Sequence, residues 1–276
     1  AVGKHSSGKM YSKELFKGEV ILVTGGGTGI GYGIAELFIE LGGLVIITSR
    51  DKSNLEKSSK NLSKNGACHY KVCDIRKTET VEDLINWINK KFGKLDVLIN
   101  NAGGQFPAPA EVMSQKGWSA VINNNLNGTF NMCHSSANKF FIPQKEGNIV
   151  NITANVLRGF PGMAHTGAAR AGVENLTKTL GQEWAQYNIR INSVAPGIIS
   201  TSGLNSYPEV IKSFFKNIEK KNLMNRFGTP KDIANAVIFL ASPLSSYISG
   251  VTIPVDGLDH LSGDRMELFN LIKKLI

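Results

Sequence analysis

Short apolar runs alternate along the chain with longer segments whose apolar residues recur at helical spacing. The runs predict strands at 20–23, 44–47, 68–72, 95–99, 148–152, 189–194 and 251–255. The longer segments predict helices at 30–41, 53–65, 78–92, 111–122, 125–142 and 163–187. Regular alternation of strand and helix is typical of an α/β protein, so we expect a doubly wound, parallel seven-stranded sheet in a single domain.

The glycine-rich turn after the first strand predicts a phosphate site. Glycines let the backbone approach a ligand closely, and the first N–H groups of the following helix point at its charge. The alternative is a plain structural turn, but the strand and helix on either side favour dinucleotide binding. The expected cofactor contacts in this turn are Gly25, Thr28, Gly29, Ile30 and Gly31.

Ligands bind at the carboxyl ends of parallel strands, so residues that follow a strand are candidates for cofactor contact. After the second strand, Ser49 stands where a protein that prefers NAD has a carboxylate. The guanidinium group of Arg50 can donate two parallel hydrogen bonds to a 2′-phosphate. These two residues favour NADPH over NAD, although the nearby carboxylate of Asp51 complicates this choice. The alternative is that Arg50 simply points to solvent. The other candidates are Asp74 and Ile75, facing the adenine, and Asn101, Ala102 and Gly103 after the fourth strand.

Charge narrows the class of ligand. The net charge of +9 suits an anionic ligand such as a phosphorylated cofactor or a coenzyme A thioester. Lys and Arg residues are dispersed and accompany no nucleic-acid motif, so we expect no nucleic-acid partner. No apolar run reaches about 18 residues, so we expect no membrane span.

Two further features bear on the compartment and the ends of the chain. Cys68, Cys73 and Cys133 form no Cys-x-x-Cys pair, and an odd number favours a reducing compartment, the cytoplasm or an organellar matrix. Residues 1–17 are polar and are interpreted as an arm or the remnant of a tag.

The strand-end motifs resemble those of the short-chain dehydrogenase/reductase family over residues 18–258. They are the glycine motif at 24–31, Asn-Asn-Ala-Gly at 100–103, Pro-Gly at 196–197 with Thr201 nearby, and Asp256-Gly257. The resemblance implies a Rossmann-type domain at 18–260, a mobile substrate lid at 200–226 and a homotetramer. It also implies cofactor contacts from Thr153, Arg170, Pro196, Gly197, Ile199 and Thr201. An amphipathic pattern beyond the usual fold predicts a C-terminal helical extension at 261–276.

The catalytic pattern of the family is only partly present. Asn125 matches its catalytic asparagine, which would hold a water, and a helix cap is the alternative. However, Ala154 stands where a serine is expected, Thr166 replaces the tyrosine and Arg170 replaces the lysine. Carbonyl reduction needs an acid for the oxygen, and threonine is too weak while arginine stays protonated. Ordinary ketone reduction is therefore disfavoured.

Reduction of a carbon–carbon double bond conjugated to a thioester requires different groups in the active site. Hydride goes to the β-carbon, and donors must stabilise the enolate oxygen. The chain resembles the peroxisomal trans-2-enoyl-CoA reductase branch, with the 2,4-dienoyl-CoA reductases as more distant kin, which implies an acyl-CoA substrate and would fit a peroxisomal location. The segments that carry this resemblance are 103–106, 109–111, 116–118, 159–161 and 165–172.

The proton donor is left open by the sequence. His165 titrates near neutral pH and is either an acid or a structural hydrogen-bonding residue, and Thr166 is a candidate donor to the thioester oxygen. Gln105, Phe106 and Phe160 are candidate substrate contacts. Besides the enoyl reductase, two alternatives stay open: a 3-oxoacyl thioester reductase that uses His165, and a nucleotide-binding protein without catalysis.

Overall fold

A computed structural model of the chain describes residues 11–201, 223–262 and 270–274. Within them, seven parallel strands form one sheet in the order β3-β2-β1-β4-β5-β6-β7, which confirms the predicted fold. The strands are β1 Val20–Thr24, β2 Leu44–Ser49, β3 Cys68–Val72, β4 Val97–Asn100, β5 Gly147–Ile152, β6 Ile189–Pro196 and β7 Thr252–Val255. The strand order reverses between β1 and β4, and the crevice at such a point is where open α/β sheets bind ligands.

Helices cover both faces of the sheet. They are α1 Gly29–Glu40, α2 Lys52–Leu62, α3 Thr78–Phe92, α4 Gln115–Ile122, α5 Gly128–Ser136, α6 Ile142–Gln144, α7 Ala164–Glu183, α8 Pro230–Ala241 and α9 Asp259–Ser262. Because side chains alternate along a strand, Ile21 and Val23 of β1 pack with α1, α2 and α8, whereas Val20 and Leu22 pack with α3, α5 and α7. Two apolar cores therefore hold the sheet between them.

The region predicted as two helices, 111–122 and 125–142, is one continuous helical run, so the predicted break was wrong. α4, α5 and α6 are joined by π-helical segments at Asn123–Asn127 and Ala137–Phe141, and Ala110–Val112 forms a separate 3₁₀ turn. Each π turn holds an extra residue, which rotates the apolar spacing by about 100° without ending the helix. The spacing therefore looked like a boundary.

Smaller differences concern element ends. The helix predicted at 163–187 ends at Glu183 and is followed by a 3₁₀ turn at Ala185–Tyr187, while the helix predicted at 53–65 ends at Leu62. β6 runs on to Pro196, two residues past the predicted end. The longer strand carries the Pro-Gly turn to the edge of the sheet where the ligand is expected.

Several predicted segments lie partly or wholly outside the described residues. They are 1–10 of the arm, 202–222 of the lid, and 263–269 and 275–276 of the C-terminal extension. Within that extension, residues 270–273 are helical, and Lys273 forms an ion pair with Glu111 at 2.9 Å. Among the helices that are described, none has both the length and the apolarity needed to cross a bilayer.

Candidate active site

The turn from β1 into α1 has the geometry of an anion site. Gly25 and Gly29 have positive φ values of 63° and 55°, which favour glycine. A side chain at Gly31 would collide with the Gly25 carbonyl. Thr28 precedes α1 without a side-chain cap, and the first turn of α1 contains no acidic residue. The free N–H groups and the positive end of the helix dipole are therefore available to a phosphate, with Ile30 on the same turn.

A cavity of about 410 Å³ lies beside this turn, and Gly25, Thr28, Ser49 and Arg50 are among its lining residues. Arg50 is exposed at its rim. The Asp51 carboxylate, which could compete for a ribose hydroxyl, instead caps α2 by accepting from the Asn54 backbone N–H at 3.0 Å and side-chain amide at 2.8 Å. Arg50 is thus the charged group in this lining that is free to meet a 2′-phosphate.

Asp74 and Ile75, expected at the adenine, have defined partners of their own. The Asp74 carboxylate accepts from Arg76 at 2.6 and 2.8 Å, and these bonds lower its pKa. Ile75 is buried, and its side chain packs closely against Gly128. The Asp74 carboxylate therefore forms an ion pair with Arg76 and is not free to bind a ligand.

The Thr24 hydroxyl joins the loops that follow β1 and β4. It accepts from the backbone N–H groups of Asn101 at 3.0 Å and Ala102 at 2.9 Å, and it donates to the Ile99 carbonyl at 3.3 Å. The Asn101 amide donates to the Thr24 and Gly25 carbonyls at 3.0 and 3.2 Å. Sequence reasoning missed Thr24 as a site residue, although a hydroxyl at the last position of a strand before a glycine turn is a usable signal.

Asn125 lies inside the first π segment and does not cap a helix. It is fully buried, its Oδ1 accepts from Gly104 N–H at 2.9 Å, and its Nδ2 donates to the Gly104 carbonyl at 2.9 Å. Both ends of the carboxamide therefore hold the Gly103–Gly104 backbone in place. The prediction that Asn125 holds a water stays a prediction.

Arg170 is a buried cation at the end of β5. Its side chain is on α7, its Nη1 donates to the Ile152 carbonyl at 2.9 Å, and its guanidinium lies against Gly103. Burial lowers its pKa to about 10, which leaves it charged at neutral pH. Among the described residues no carboxylate pairs with it. A buried charge is costly without such a partner, so the site fits a ligand that brings oxygen atoms to Arg170.

His165 and Thr166, on the first turn of α7, are fully buried. The Thr166 backbone N–H donates to His165 Nδ1 at 2.8 Å, and the Thr166 hydroxyl lies 3.2 Å from the same nitrogen. Burial lowers the pKa of the His165 imidazole, and a hydrogen bond to the Met163 backbone opposes this in part. The ring is therefore neutral at physiological pH.

Two loops meet over the start of α7. Ala108 pairs with Met163 in a short parallel bridge, and Ala108 N–H donates to the Gly162 carbonyl at 2.8 Å. Phe106 packs edge-to-face on the His165 ring, with centroids 4.7 Å apart. Phe160 lies against Gly167, and Gln105 is exposed. Of the three candidate substrate contacts, Phe106 and Phe160 border the candidate catalytic residues at the start of α7, and Gln105 lies at the outer surface.

The chain after β6 folds back over the glycine turn. A side chain placed on Gly29 would contact Thr201, and Ile199 forms a bridge with Gly228. Pro196 ends β6, and Gly197 packs tightly on Asp256. Thr153, at the end of β5, is held by its N–H to the Val194 carbonyl at 2.8 Å. The candidate cofactor residues from β1, β2, β4, β5 and β6 thus share one edge of the sheet.

Comparisons with known proteins agree with this arrangement. Residues 25–257 match the family model described as Enoyl-(Acyl carrier protein) reductase. The chain is 38% identical to the peroxisomal 2,4-dienoyl-CoA reductase [(3E)-enoyl-CoA-producing] of Rattus norvegicus, over 97% of this chain and 90% of the relative. It is 36% identical to the 3-oxoacyl-[acyl-carrier-protein] reductase of Thermotoga maritima, over 87% of this chain and 97% of the relative.

Solved structures lead to the same family. A crystal structure of a single-residue variant of actinorhodin polyketide ketoreductase with NADPH superimposes with a TM-score of 0.85 at 27% identity, and the match covers 91% of this chain and 100% of that one. The glycine turn, the shared edge of the sheet and the matches over most of the chain all indicate the same family. The chain belongs to the short-chain dehydrogenase/reductase family and is an oxidoreductase.

Proposed function

We propose that the protein catalyses NADPH-dependent reduction of the double bond of a trans-2-enoyl-CoA-type thioester, with hydride transfer to the β-carbon. The observation that carries this proposal is the pair of buried side chains on α7. Thr166 and Arg170 stand where the family pattern has its tyrosine and lysine, and no tyrosine occurs anywhere on α7. A site without a phenol is poorly suited to protonating a ketone oxygen, but it can still stabilise an enolate with hydrogen-bond donors.

The cofactor proposed is NADPH, which supplies the hydride when it is bound. The turn at Gly25–Gly31 and the N-terminus of α1 would hold its pyrophosphate, and Arg50 would hold its 2′-phosphate. Arg170 would hold the ribose hydroxyls next to the nicotinamide. The uncapped α1 supports this fit, as does the guanidinium of Arg170, which pairs with no carboxylate among the described residues.

The chain's own residues would do three things for the reaction. Asn125 keeps the Gly103–Gly104 backbone against Arg170, where it would border the bound cofactor. The loops joined at Ala108 and Met163 would keep water out of the site during the reaction. Donors at the start of α7 meet the thioester oxygen as negative charge collects there.

The test is oxidation of NADPH followed by absorbance with four thioesters: crotonyl-CoA, a longer trans-2-enoyl-CoA, 2,4-hexadienoyl-CoA and acetoacetyl-CoA. Turnover of either monounsaturated thioester supports the proposal. Turnover of the dienoyl thioester alone would replace it with dienoyl-CoA reduction, the activity in the name of the Rattus norvegicus relative. Binding of NADPH without turnover of any of the four contradicts the proposal and favours a nucleotide-binding protein without catalysis.

A second candidate is reduction of a 3-oxoacyl thioester, because the Thermotoga maritima relative is named for that reaction. This chemistry would need a non-standard acid such as His165, whose pKa is lowered by burial. Oxidation of NADPH with acetoacetyl-CoA alone would establish it and reject enoyl reduction.

We further propose that the basic lid at 200–226 contacts the coenzyme A phosphates and that the protein is a homotetramer. The net charge of +9 supports the first point. The position of β7 as an edge strand whose residues are only partly buried supports the second. Lys220→Glu with Lys221→Glu should raise KM for crotonyl-CoA but not for the matching N-acetylcysteamine thioester. Light scattering should give about four times the chain mass of 29.9 kDa.

A further inference from the structure

The C-terminal segment 270–274 contacts the loop after β4, although the two are far apart in sequence. The segment follows Asp256-Gly257, the last motif of the family pattern. Its residues 270–273 are helical, and the ammonium group of Lys273 lies 2.9 Å from the carboxylate of Glu111. A hydrogen bond from Lys273 lowers the pKa of the Glu111 carboxyl. A part of the chain outside the family pattern therefore binds the loop that carries two of the candidate substrate contacts.

Ile272, next to Lys273, is buried. It is 2% exposed, while Lys273 and Lys274 on either side of the next turn are exposed. Among the described residues, Ile272 belongs to neither of the two apolar cores that pack on the sheet. An ion pair whose side chains are 49% and 54% exposed contributes little stability by itself, whereas burial of an isoleucine side chain contributes more. Ile272 therefore keeps the segment in place, and the ion pair directs it to Glu111.

The loop after β4 is held at two separate places. At its start, Asn125 forms hydrogen bonds of 2.9 Å with both the N–H and the carbonyl of Gly104. Further along, the Ala108 N–H donates to the Gly162 carbonyl at 2.8 Å. Glu111 follows Ala108 closely, in the adjoining 3₁₀ turn. The C-terminal segment therefore acts on the part of the loop near α7, not on the part that would border the cofactor.

We propose that Ile272 and Lys273 are positioning residues for the thioester. They keep the far part of the loop after β4 against α7, so that Phe106 keeps its place on the His165 ring, where the centroids are 4.7 Å apart. This rests on the function proposed above. Because Asn125 holds the start of the loop independently, loss of the C-terminal contact weakens binding of the thioester and leaves binding of NADPH unchanged.

Exchange of the two charges tests the ion pair. In Lys273→Glu and in Glu111→Lys two like charges face each other, and we expect KM for crotonyl-CoA to rise by about 3- to 5-fold in each. The kcat and the Kd for NADPH should not change. The double variant restores opposite charges, so its KM should return to within about 2-fold of the parent value. Lys274→Glu, the same change at the next exposed residue, is the control and should leave KM unchanged.

Ile272→Ala should raise KM by more, about 10-fold or above, because truncation of a buried isoleucine costs more than loss of an exposed ion pair. Ile272→Leu keeps the volume and should stay near the parent value. An unchanged KM in Ile272→Ala would overturn the proposal. So would a lower KM in Glu111→Lys, which would show that positive charge at this place simply attracts coenzyme A. A rise in the Kd for NADPH that matches the rise in KM would indicate general loss of structure and would also contradict it.

A second measurement does not depend on turnover. Hydrogen exchange reports opening of the Ala108 N–H, whose acceptor is the Gly162 carbonyl. Exchange at Ala108 should become about 3- to 5-fold faster in each single charge variant and return to the parent rate in the double variant, while exchange at Gly104 stays the same. Unchanged exchange at Ala108 in Ile272→Ala contradicts the proposal even if enoyl thioesters are reduced. The expected exchange pattern in a protein that reduces none of the four thioesters would show that the proposed function, rather than the role of the C-terminal segment, has failed.

Discussion

At the scale of single residues, the start of α7 combines one cation with two uncharged side chains. Arg170 stays protonated because its pKa of about 10 is still well above neutral. His165 is neutral because burial lowers its pKa, and Thr166 does not titrate in this range. Such a set can donate hydrogen bonds to a developing negative charge, but none of its members readily releases a proton. The chemistry it favours is enolate stabilisation rather than acid catalysis.

Arg50 gives a direct test of cofactor choice. Arg50→Asp removes the guanidinium and adds a carboxylate that repels a 2′-phosphate. We expect the Kd for NADPH to rise by about 10- to 100-fold, since a charge-assisted hydrogen bond contributes roughly 1.5–3 kcal/mol, while the Kd for NADH changes little. Fluorescence titration of both cofactors measures this.

The control is Lys52→Asp, the same change of charge two residues further on, at a position that faces Glu56 on α2. It should leave the ratio of the two dissociation constants unchanged. Equal weakening of NADPH and NADH in Arg50→Asp would contradict the assignment.

Sequence reasoning worked best for residue types that have one common role directly after a strand. Gly25, Thr28 and Arg50 follow strands, and the structure places them around one cavity, while their contact with a cofactor stays a prediction. It failed for Thr24, because the hydroxyl acts through loops far apart in sequence. It also did not place Asn125 on Gly104, because this contact depends on a π turn that has no sequence signature known to us.

At the scale of elements, α8 begins with a complete capping box. The Thr229 hydroxyl accepts from the Asp232 backbone N–H at 3.2 Å, and the Asp232 carboxylate accepts from Thr229 N–H at 2.7 Å. Pro230 occupies the first turn, and it touches Gly33 of α1. The cap therefore sets where α8 meets α1, the helix whose N-terminus is the proposed phosphate site.

Loss of this cap should lower stability without abolishing the site. Thr229→Ala is expected to cost about 1 kcal/mol of unfolding free energy, in the range of roughly 0.5–2 kcal/mol for N-cap substitutions. Denaturant unfolding checks this. Thr78→Ala, at an exposed position in the first turn of α3, is the matched control and should cost less. Equal costs would mean that the Thr229 cap contributes nothing beyond the change of side chain.

Helix boundaries were predicted less well than helices themselves. The apolar spacing of 78–92 follows a regular period, and its helix was found with the same ends. In the run from Gln115 to Gln144, the two π segments shift that period, and a continuous helix was interpreted as two. Periodicity reports which face of a helix is buried, but it does not distinguish an extra residue in a turn from a true end.

At the scale of the whole molecule, the amino ends of the strands, away from the candidate site, hold a cluster of carboxyl groups. The cluster consists of Glu19, Asp96 and Glu146 around Lys94. Burial, with the negative charge of Asp96 second and opposed by Lys94, raises the pKa of Glu19 from 4.5 to about 7. Three carboxyl groups and one lysine therefore lie together at the amino ends of β1, β4 and β5.

This predicts a pH-dependent effect of Glu19→Gln. The folded-state pKa lies above 4.5, so the contribution of Glu19 to stability is fully present below pH 4.5 and is lost as pH rises through about 7. Glu19→Gln should barely change Tm near pH 4.5 and should raise it at about pH 8, by about 2–4 °C for each kcal/mol. Thermal unfolding at both pH values measures this.

Glu82→Gln is the control, because Glu82 is exposed on α3. It should shift Tm by similar small amounts at both pH values. A rise in Tm for Glu19→Gln that is equal at low and high pH would contradict the raised pKa.

The bridge between Ala108 and Met163 has a kinetic consequence. It joins the two loops over the start of α7, whereas the cavity of about 410 Å³ beside Arg50 opens at the exposed residues Arg50, Asp51 and Asn54. Under the proposed function, we expect the dinucleotide to dock before these loops part and the thioester only afterwards. This predicts a compulsory order of binding, with the dinucleotide first on and last off, in which the thioester does not bind the free protein.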